Sequence, residues 1–188
     1  MVFVVIDGLD ASGKDTQALG LCTFLRDRRK TVLLRLHPSD DNFFGVKAKQ
    51  FLYVNGKSAH LASALFYMVD VLRSILIYSW RKHDYVVFVR YLMGTAYLPS
   101  PLDKIAYNFF ACTVPTSNLM FFLDVSPNEA FKRIQAARGT RERFESLEEL
   151  VRMRRKALLL ALTSDWIIIE ADKSVEDVAD EIKRHVVA

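Results

Sequence analysis

The chain has 188 residues, 51% hydrophobic and 26% charged, with Lys and Arg exceeding Asp and Glu by 26 to 22 for a net charge of +4. That balance excludes a disordered chain and suits one domain, residues 1–188, with a full core. The positive excess is mild and no Lys/Arg run carries interleaved aromatics, so nucleic acid is not expected as a partner, whereas an anionic small molecule is.

In chain order, Val2 to Asp7 is a β-branched run with no polar face, which predicts a buried parallel strand. The same run lacks the basic region and cleavage site of a signal peptide. Asp15 to Arg29 reads as a helix, Thr31 to Leu36 as a strand and Phe43 to Val54 as a helix. Leu61 to Arg81 is a long helix with apolar residues at Leu61, Leu65, Met68, Leu72, Ile75 and Leu76. Its apolar stretch holds Asp70 and Arg73 near the middle, which argues for a core helix and against a membrane span. Tyr85 to Val89 is a strand, and Pro101 to Cys112 is a helix opened by proline. Leu119 to Val125 is a strand and Pro127 to Arg138 a helix; Ser146 to Leu162 is a helix with Ser146 and Glu149 in capping-box spacing. Trp166 to Glu170 is the last strand and Val175 to Val187 the last helix. Five strands separated by helices predict a three-layer α/β fold: a five-stranded parallel sheet covered on both faces, its crevice at the carboxyl ends of the strands. A short lid is expected over about 138–145. Cys22 and Cys112 lie in apolar contexts without CxxC spacing, which predicts two buried thiols and a reducing, cytoplasmic compartment.

The first strand runs directly into Gly8-Leu9-Asp10-Ala11-Ser12-Gly13-Lys14, and a helix follows. This is GxxxxGK in its strand–loop–helix context, the P-loop of ATP-binding proteins. Gly8 and Gly13 let successive N–H groups turn inward around Ala11 and Ser12 as an anion nest. The helix start adds its positive dipole end and Lys14 a point charge for the β- and γ-phosphates. Ser or Thr normally comes next and holds Mg²⁺; here Asp15 precedes Thr16. Either Asp15 is a direct Mg²⁺ ligand or Thr16 substitutes after a small shift of the loop. Gly56-Lys57-Ser58 is a decoy: Phe51 stands where its first glycine belongs, and a helix precedes it.

Asp7-Gly-Leu-Asp-Ala-Ser-Gly-Lys-Asp-Thr-Gln17 resembles the opening of the thymidylate kinases, acidic-Gly-Leu-acidic-x-x-Gly-Lys-Ser/Thr-Thr. The resemblance continues along nearly the whole chain. Gly45-Val-Lys-Ala-Lys49 resembles the family's Gly-x-x-Ile-Arg, Ala64 to Asp70 its Leu-Phe-x-Ala-Asp-Arg, and Arg90-Tyr91 the end of its Asp-Arg-Tyr. Phe122 to Ile134 is similar to Leu-Asp-Val-x-Pro-Glu-x-Ala-x-x-Arg-Ile, and Arg138 to Phe144 occupies the place of an arginine-bearing lid. The resemblance implies a P-loop kinase that passes the γ-phosphoryl group of ATP, with Mg²⁺, to a nucleoside monophosphate, dTMP first among them, and that forms a homodimer. It further implies that Asp10 faces the acceptor's sugar or phosphate, that Lys49 replaces a phosphate-binding arginine, and that Phe66 stacks on the acceptor base unless it is core. Tyr91 comes with the acceptor motif. Asp70 needs a partner in its apolar helix, for which Arg73 is the local candidate. Arg90 binds the acceptor phosphate and the transferring group, while Arg138, Arg141 and Arg143 supply lid charge, at least one of them being only surface charge.

Three departures fall on the acceptor and metal side. Val89 stands where the family has the aspartate of Asp-Arg-Tyr, Val71 where it has the arginine that helps recognise thymine, and Gly94 where it has a serine in a spacing one residue longer. The first suggests that metal binding has moved from position 89 to Asp15. These changes leave open a kinase for another nucleotide or nucleoside, and, in a different class, an ATP-binding regulatory protein without turnover.

Overall fold

A computed structural model describes residues 1–54, 57–78, 82–98, 100–137 and 146–187. The strands are β1 (Val2–Gly8), β2 (Val32–Leu36), β3 (Tyr85–Val89), β4 (Met120–Asp124) and β5 (Ile167–Glu170). The helices are α1 (Lys14–Asp27), α2 (Phe43–Leu52), α3 (Lys57–Tyr78), α4 (Leu102–Thr113), α5 (Pro127–Ala137), α6 (Leu147–Leu162) and α7 (Val175–Val187), with a 3₁₀ turn at Met93–Tyr97. All five strands pair in parallel in the order β2-β3-β1-β4-β5. The five expected strands and seven helices are therefore present, each with ends within a turn or so of the expected ones.

Strand alternation divides the core in two. Val4 and Ile6 of β1, Val87 and Val89 of β3, and Phe121 and Leu123 of β4 point to one face and pack with Leu21, Leu25, Val178 and Ile182 of α1 and α7. Val5, Val86, Phe88, Met120 and Phe122 point to the other and pack with Tyr91, Tyr107, Phe110 and Leu160. The near-continuous apolar runs of the strands follow from burial on both faces. Helix α6 starts where expected: Ser146 is its N-cap and accepts a hydrogen bond from the Glu149 N–H at 3.3 Å. Because β1 lies between β3 and β4, chain order reverses on its two sides, and the loops after β1 and β3 open a crevice at their carboxyl ends.

Two expectations need correction. Cys22 is buried, but Cys112 is exposed. The buried stripe of α4 is Asp103, Tyr107 and Phe110, and position 112 falls off it. Asp70 is fully buried, but its partner is not Arg73. The turn before α2 folds over it, so that Asp70 accepts from Ser39 N–H (2.7 Å), Ser39 Oγ (2.6 Å) and Asn42 Nδ2 (2.7 Å). Helix α3 contains a stretch, Leu61–Tyr78, of mean hydropathy 1.6 that by length and composition could cross a membrane. One side of it packs on α2 and the 3₁₀ turn, where Asp70 is buried. The expected lid, 138–145, lies outside the described residues.

Asp70 thus satisfies three donors that fix where β2 hands over to α2. Removing it leaves those donors buried without an acceptor, a loss charge-assisted bonds make large. Asp70→Ala is expected to lower stability by about 3 kcal/mol in urea unfolding, with an unchanged m-value.

Candidate active site

Strand β1 ends at Gly8, and α1 begins at Lys14. Between them the backbone enters the left-handed region at Ala11 (φ 59°) and Gly13 (φ 85°). Gly8 has no room for a side chain: a Cβ there would meet the Leu123 carbonyl oxygen at 2.6 Å and Ser12 Oγ at 2.7 Å. The loop closes through Ser12 N–H donating to the Leu9 carbonyl at 3.2 Å. Lys14 is 3% exposed; its Nζ donates to the Leu9 carbonyl at 2.7 Å and stands 3.6 Å from Asp10. Burial, and then the positive Arg90, lower its pKa. Arg133 of α5 donates to the carbonyls of Ala11 (3.3 Å) and Ala171 (3.0 Å), holding the loop against the end of β5.

Asp7 joins β1 to the chain after β3. It is buried and accepts from the N–H groups of Gly8 (2.9 Å), Tyr91 (2.8 Å) and Met93 (3.1 Å). Burial nevertheless raises its pKa, against the pull of those donors and of Lys14. Arg90 itself is left-handed (φ 58°), with its N–H on the Ile6 carbonyl at 3.2 Å. Its guanidinium is aimed back at α1, where Nη1 and Nη2 meet the two oxygens of Asp15 at 2.8 and 3.1 Å. Burial opposes the charge of Arg90, but Asp15 and Asp10 outweigh it and raise the pKa.

These groups border a cavity of about 600 Å³. Four cations stand on its wall, and each has an aspartate of the same wall beside it. Lys14 faces Asp10 at 3.6 Å, Arg35 faces Asp41 at 2.7 Å, Lys49 faces Asp40 at 2.6 Å and Arg90 faces Asp15 at 2.8 Å. The Arg35 guanidinium holds the Asp41 carboxyl well below the usual range. The aromatic part of the wall is Phe51, Tyr53 and Tyr67.

Of the residues singled out in the sequence, Gly8, Asp10, Lys14, Asp15, Lys49 and Arg90 come together around this cavity. Others do not. Phe66 points into an aromatic cluster with Phe43 (6.1 Å), Phe44 (6.5 Å) and Phe51 (5.7 Å, nearly parallel). The next residue, Tyr67, turns about 100° further round α3 and reaches the cavity. Its ring lies where a Cβ at Gly94 would collide with it, so the glycine makes the space the tyrosine fills. Tyr91 is in the core, its hydroxyl on the Pro115 carbonyl at 3.0 Å. Thr16 is exposed and does not line the cavity. Ala11 and Ser12 are part of the P-loop, with Ser12 Oγ buried and unpartnered. Val71 is fully buried in the core. Arg138, Arg141 and Arg143 lie outside the described residues.

Arg35, His37 and the turn that follows them also border the cavity and carry no motif in the sequence. Arg35 points to α3, reaching Ser74 Oγ (3.3 Å) and the Tyr78 hydroxyl (3.4 Å) besides Asp41. His37 is 1% exposed, lines the cavity and places Nδ1 3.2 Å from the Val89 carbonyl. The available signal was Arg35-Leu-His-Pro-Ser-Asp-Asp-Asn42, polar residues gathered between a strand and a helix at the sheet's carboxyl edge.

A strand–loop–helix phosphate cradle, a lysine folded on its own loop and a second cation at the next strand end define a P-loop phosphotransferase. The thymidylate kinase family model matches residues 6–182. The probable thymidylate kinase of Pyrococcus horikoshii is 31% identical, covering 96% of this chain and 93% of the relative. The thymidylate kinase of Plasmodium falciparum is 26% identical, covering 98% and 89%. A solved thymidylate kinase from Candida albicans shares the fold, with a TM-score of 0.75 at 18% identity over 99% of this chain and 91% of that one. The chain belongs to the thymidylate kinase family.

Burial pushes the His37 pKa from 6.5 down to about 4. A histidine held neutral in the fold contributes stability that is present above 6.5 and is lost as pH falls toward 4. The expected loss between pH 7 and pH 4 is on the order of 3 kcal/mol. Asp7 has the opposite sign, its raised pKa favouring the fold at lower pH. The difference between wild type and His37→Gln therefore isolates the histidine: urea unfolding across this range should show a flatter acid limb in the variant.

Proposed function

We propose that this chain transfers the γ-phosphoryl group of ATP to dTMP, giving dTDP and ADP, and that residues 1–188 act as one kinase domain. The observation that carries the reading is the P-loop at the sheet's switch point with Arg90 facing it across a cavity of nucleotide size, in a chain of this family. ATP's phosphates take the loop amides from Gly8 to Thr16, including those of Ala11, Ser12 and Gly13, with Lys14 leaving the Leu9 carbonyl for them. Arg90 takes the acceptor phosphate, and Asp10 faces the acceptor's sugar or phosphate. Lys49 adds charge in the same cavity. Tyr67, rather than Phe66, stacks on the acceptor base, since its ring borders the cavity and that of Phe66 does not. Asp70 and Tyr91 act by holding the walls, through Ser39 and Asn42 and through the core. The arginines Arg138, Arg141 and Arg143 complete the charge on the moving group.

Mg²⁺ is implied by the family, and the donors present suit it. Mg²⁺ takes one or two carboxylates along with phosphate oxygens and water. Asp15 and Asp10 both border the cavity, whereas Val89 offers no donor and Thr16 faces outside. Asp15, one residue after Lys14, would be the protein ligand, and the ion would supply charge neutralisation at the phosphates. The acceptor phosphate is itself the nucleophile and is largely deprotonated at neutral pH, so no general base is needed. What this chain contributes is alignment, fixed charge and exclusion of water.

A second copy of the chain is the partner. Helix α3 exposes Leu61, Leu65, Val69, Leu72 and Leu76, between 36 and 69% exposed, at the spacing of one helical face. A stripe of this kind is what an interface helix presents. Cytoplasmic location fits the buried Cys22 thiol and the nucleotide substrates.

In a coupled ADP-release assay with ATP, Mg²⁺ and a panel of monophosphates and nucleosides, dTMP should turn over well above the rest. Lys14→Ala should lower kcat by roughly 100-fold or more. Turnover on a different acceptor would move the specificity, and no turnover on any would remove the kinase reading. Sedimentation should give a dimer that Leu65→Lys with Leu76→Lys converts to monomer at unchanged thermal stability; a monomeric wild type would refute the interface.

A further inference from the structure

The Asp15–Arg90 pair joins the first turn of α1 to the end of β3 across the mouth of the phosphate site. Both terminal nitrogens of Arg90 are used, one on each carboxylate oxygen. This is the fork-to-fork geometry that a guanidinium also offers a phosphate. A phosphate cannot take the same two donors while the carboxylate holds them. The pair is accessible from the cavity, with side chains 28% and 47% exposed. Neither backbone is free to move: Arg90 N–H is tied to the Ile6 carbonyl, and Asp15 sits in a helix whose Gln17 N–H is bonded to Gly13. The Asp15 side chain is the part that can turn.

The surroundings make that turn necessary. The four cations of the wall are matched by four aspartates, so their charges sum to zero, and Asp7 adds a fifth carboxyl. A cavity balanced in this way has no net attraction for a dianionic monophosphate. Binding gains only if a carboxylate is drawn off its cation, and Asp15 is the one paired with Arg90, the cation read as the acceptor-phosphate ligand. At position 89, on the facing strand end, the side chain is a fully buried valine and cannot take that role.

We propose that Asp15 is an exchangeable counter-anion: it holds the Arg90 fork in its phosphate-binding orientation, and it releases the fork when its carboxylate turns to a divalent cation. Acceptor binding and metal binding are coupled through this one side chain, and acceptor occupancy is low until the metal arrives. The inference rests on the reading of Arg90 as the acceptor-phosphate ligand. Asp15 is here a positioning residue, acting on the acceptor through Arg90.

The test is a binding measurement without ATP. Calorimetric titrations of dTMP, and separately of inorganic phosphate, are made into wild type, Asp15→Asn and Asp15→Ser, each in EDTA and in Mg²⁺. In wild type, Mg²⁺ should tighten both ligands about tenfold. Both variants should bind in EDTA about as tightly as wild type does in Mg²⁺, and should not respond to the metal. Thermal unfolding checks that both variants fold, and agreement between them guards against an effect peculiar to one. If phosphate follows this pattern and dTMP does not bind, the acceptor assignment fails and the exchange stands. If Mg²⁺ leaves wild-type affinity unchanged, if the variants respond to Mg²⁺ as wild type does, or if phosphate binds none of them, the exchange is overturned.

Discussion

The site depends first on Asp7. A parallel sheet delivers its strand ends to one edge, but nothing in the ladder itself fixes how the chain leaves two adjacent strands. Asp7 does this by accepting from Gly8 on its own strand and from Tyr91 and Met93 beyond the neighbouring one. One buried carboxylate thereby sets the start of the phosphate loop and the turn that carries Arg90. The burial that raises its pKa is the cost of that position, offset by three backbone donors. With both loops fixed, Lys14 and Arg90 converge on one volume although 75 residues separate Arg90 from Asp15 in the chain.

Convergence of cations carries its own difficulty. Lys14 is buried, and after burial itself the neighbouring Arg90 is what makes its charge harder to hold. The fold resolves this with aspartates, placing Asp10 beside Lys14 and Asp15 beside Arg90. Arg35 with Asp41 and Lys49 with Asp40 repeat the arrangement on the α2 side. Such pairs keep flexible cations ordered at little net gain in stability where they are exposed, as Lys49 and Asp40 are. Their value is preorganisation: the donors stand in place before the ligand comes.

Some of this was legible in the sequence because the chemistry demands a fixed spacing. The P-loop could be placed to the residue, since strand, glycine positions and lysine must all agree. The parallel sheet followed from apolar runs alternating with helical ones. Phase on α3 was not legible. Apolar residues surround that helix, from exposed Leu65 and Leu76 to buried Val71, so periodicity did not distinguish a cavity face from a core face or an outer one. Hence the spacing leaves Phe66 open between an acceptor face and the core, whereas in the fold it packs on Phe43, Phe44 and Phe51 and the neighbouring Tyr67 borders the cavity. Asp70 was assigned a neighbour on its own helix because local spacing is all a sequence displays; its real partners, Ser39 and Asn42, come from a turn some thirty residues away. Cys112 was read as buried from its apolar neighbours, although α4 turns a different stripe inward.

The departures from the family pattern are less independent than they look in sequence. Gly94 makes the space that the Tyr67 ring fills, so a residue that seems lost from one motif is the complement of an aromatic on another. Val71 is sealed in the core, while Arg35 brings a guanidinium to the cavity wall from β2. Val89 lacks a carboxylate, and Asp15 brings one to the same mouth. In each case a group of like chemistry or volume from a different element borders the same cavity. A cavity constrains the sum of charge and volume on its walls more tightly than it constrains which strand or helix provides them. That is why the acceptor side of this chain can stray from its family's motifs while the phosphate loop, whose backbone angles no other element can supply, keeps its glycines and lysine.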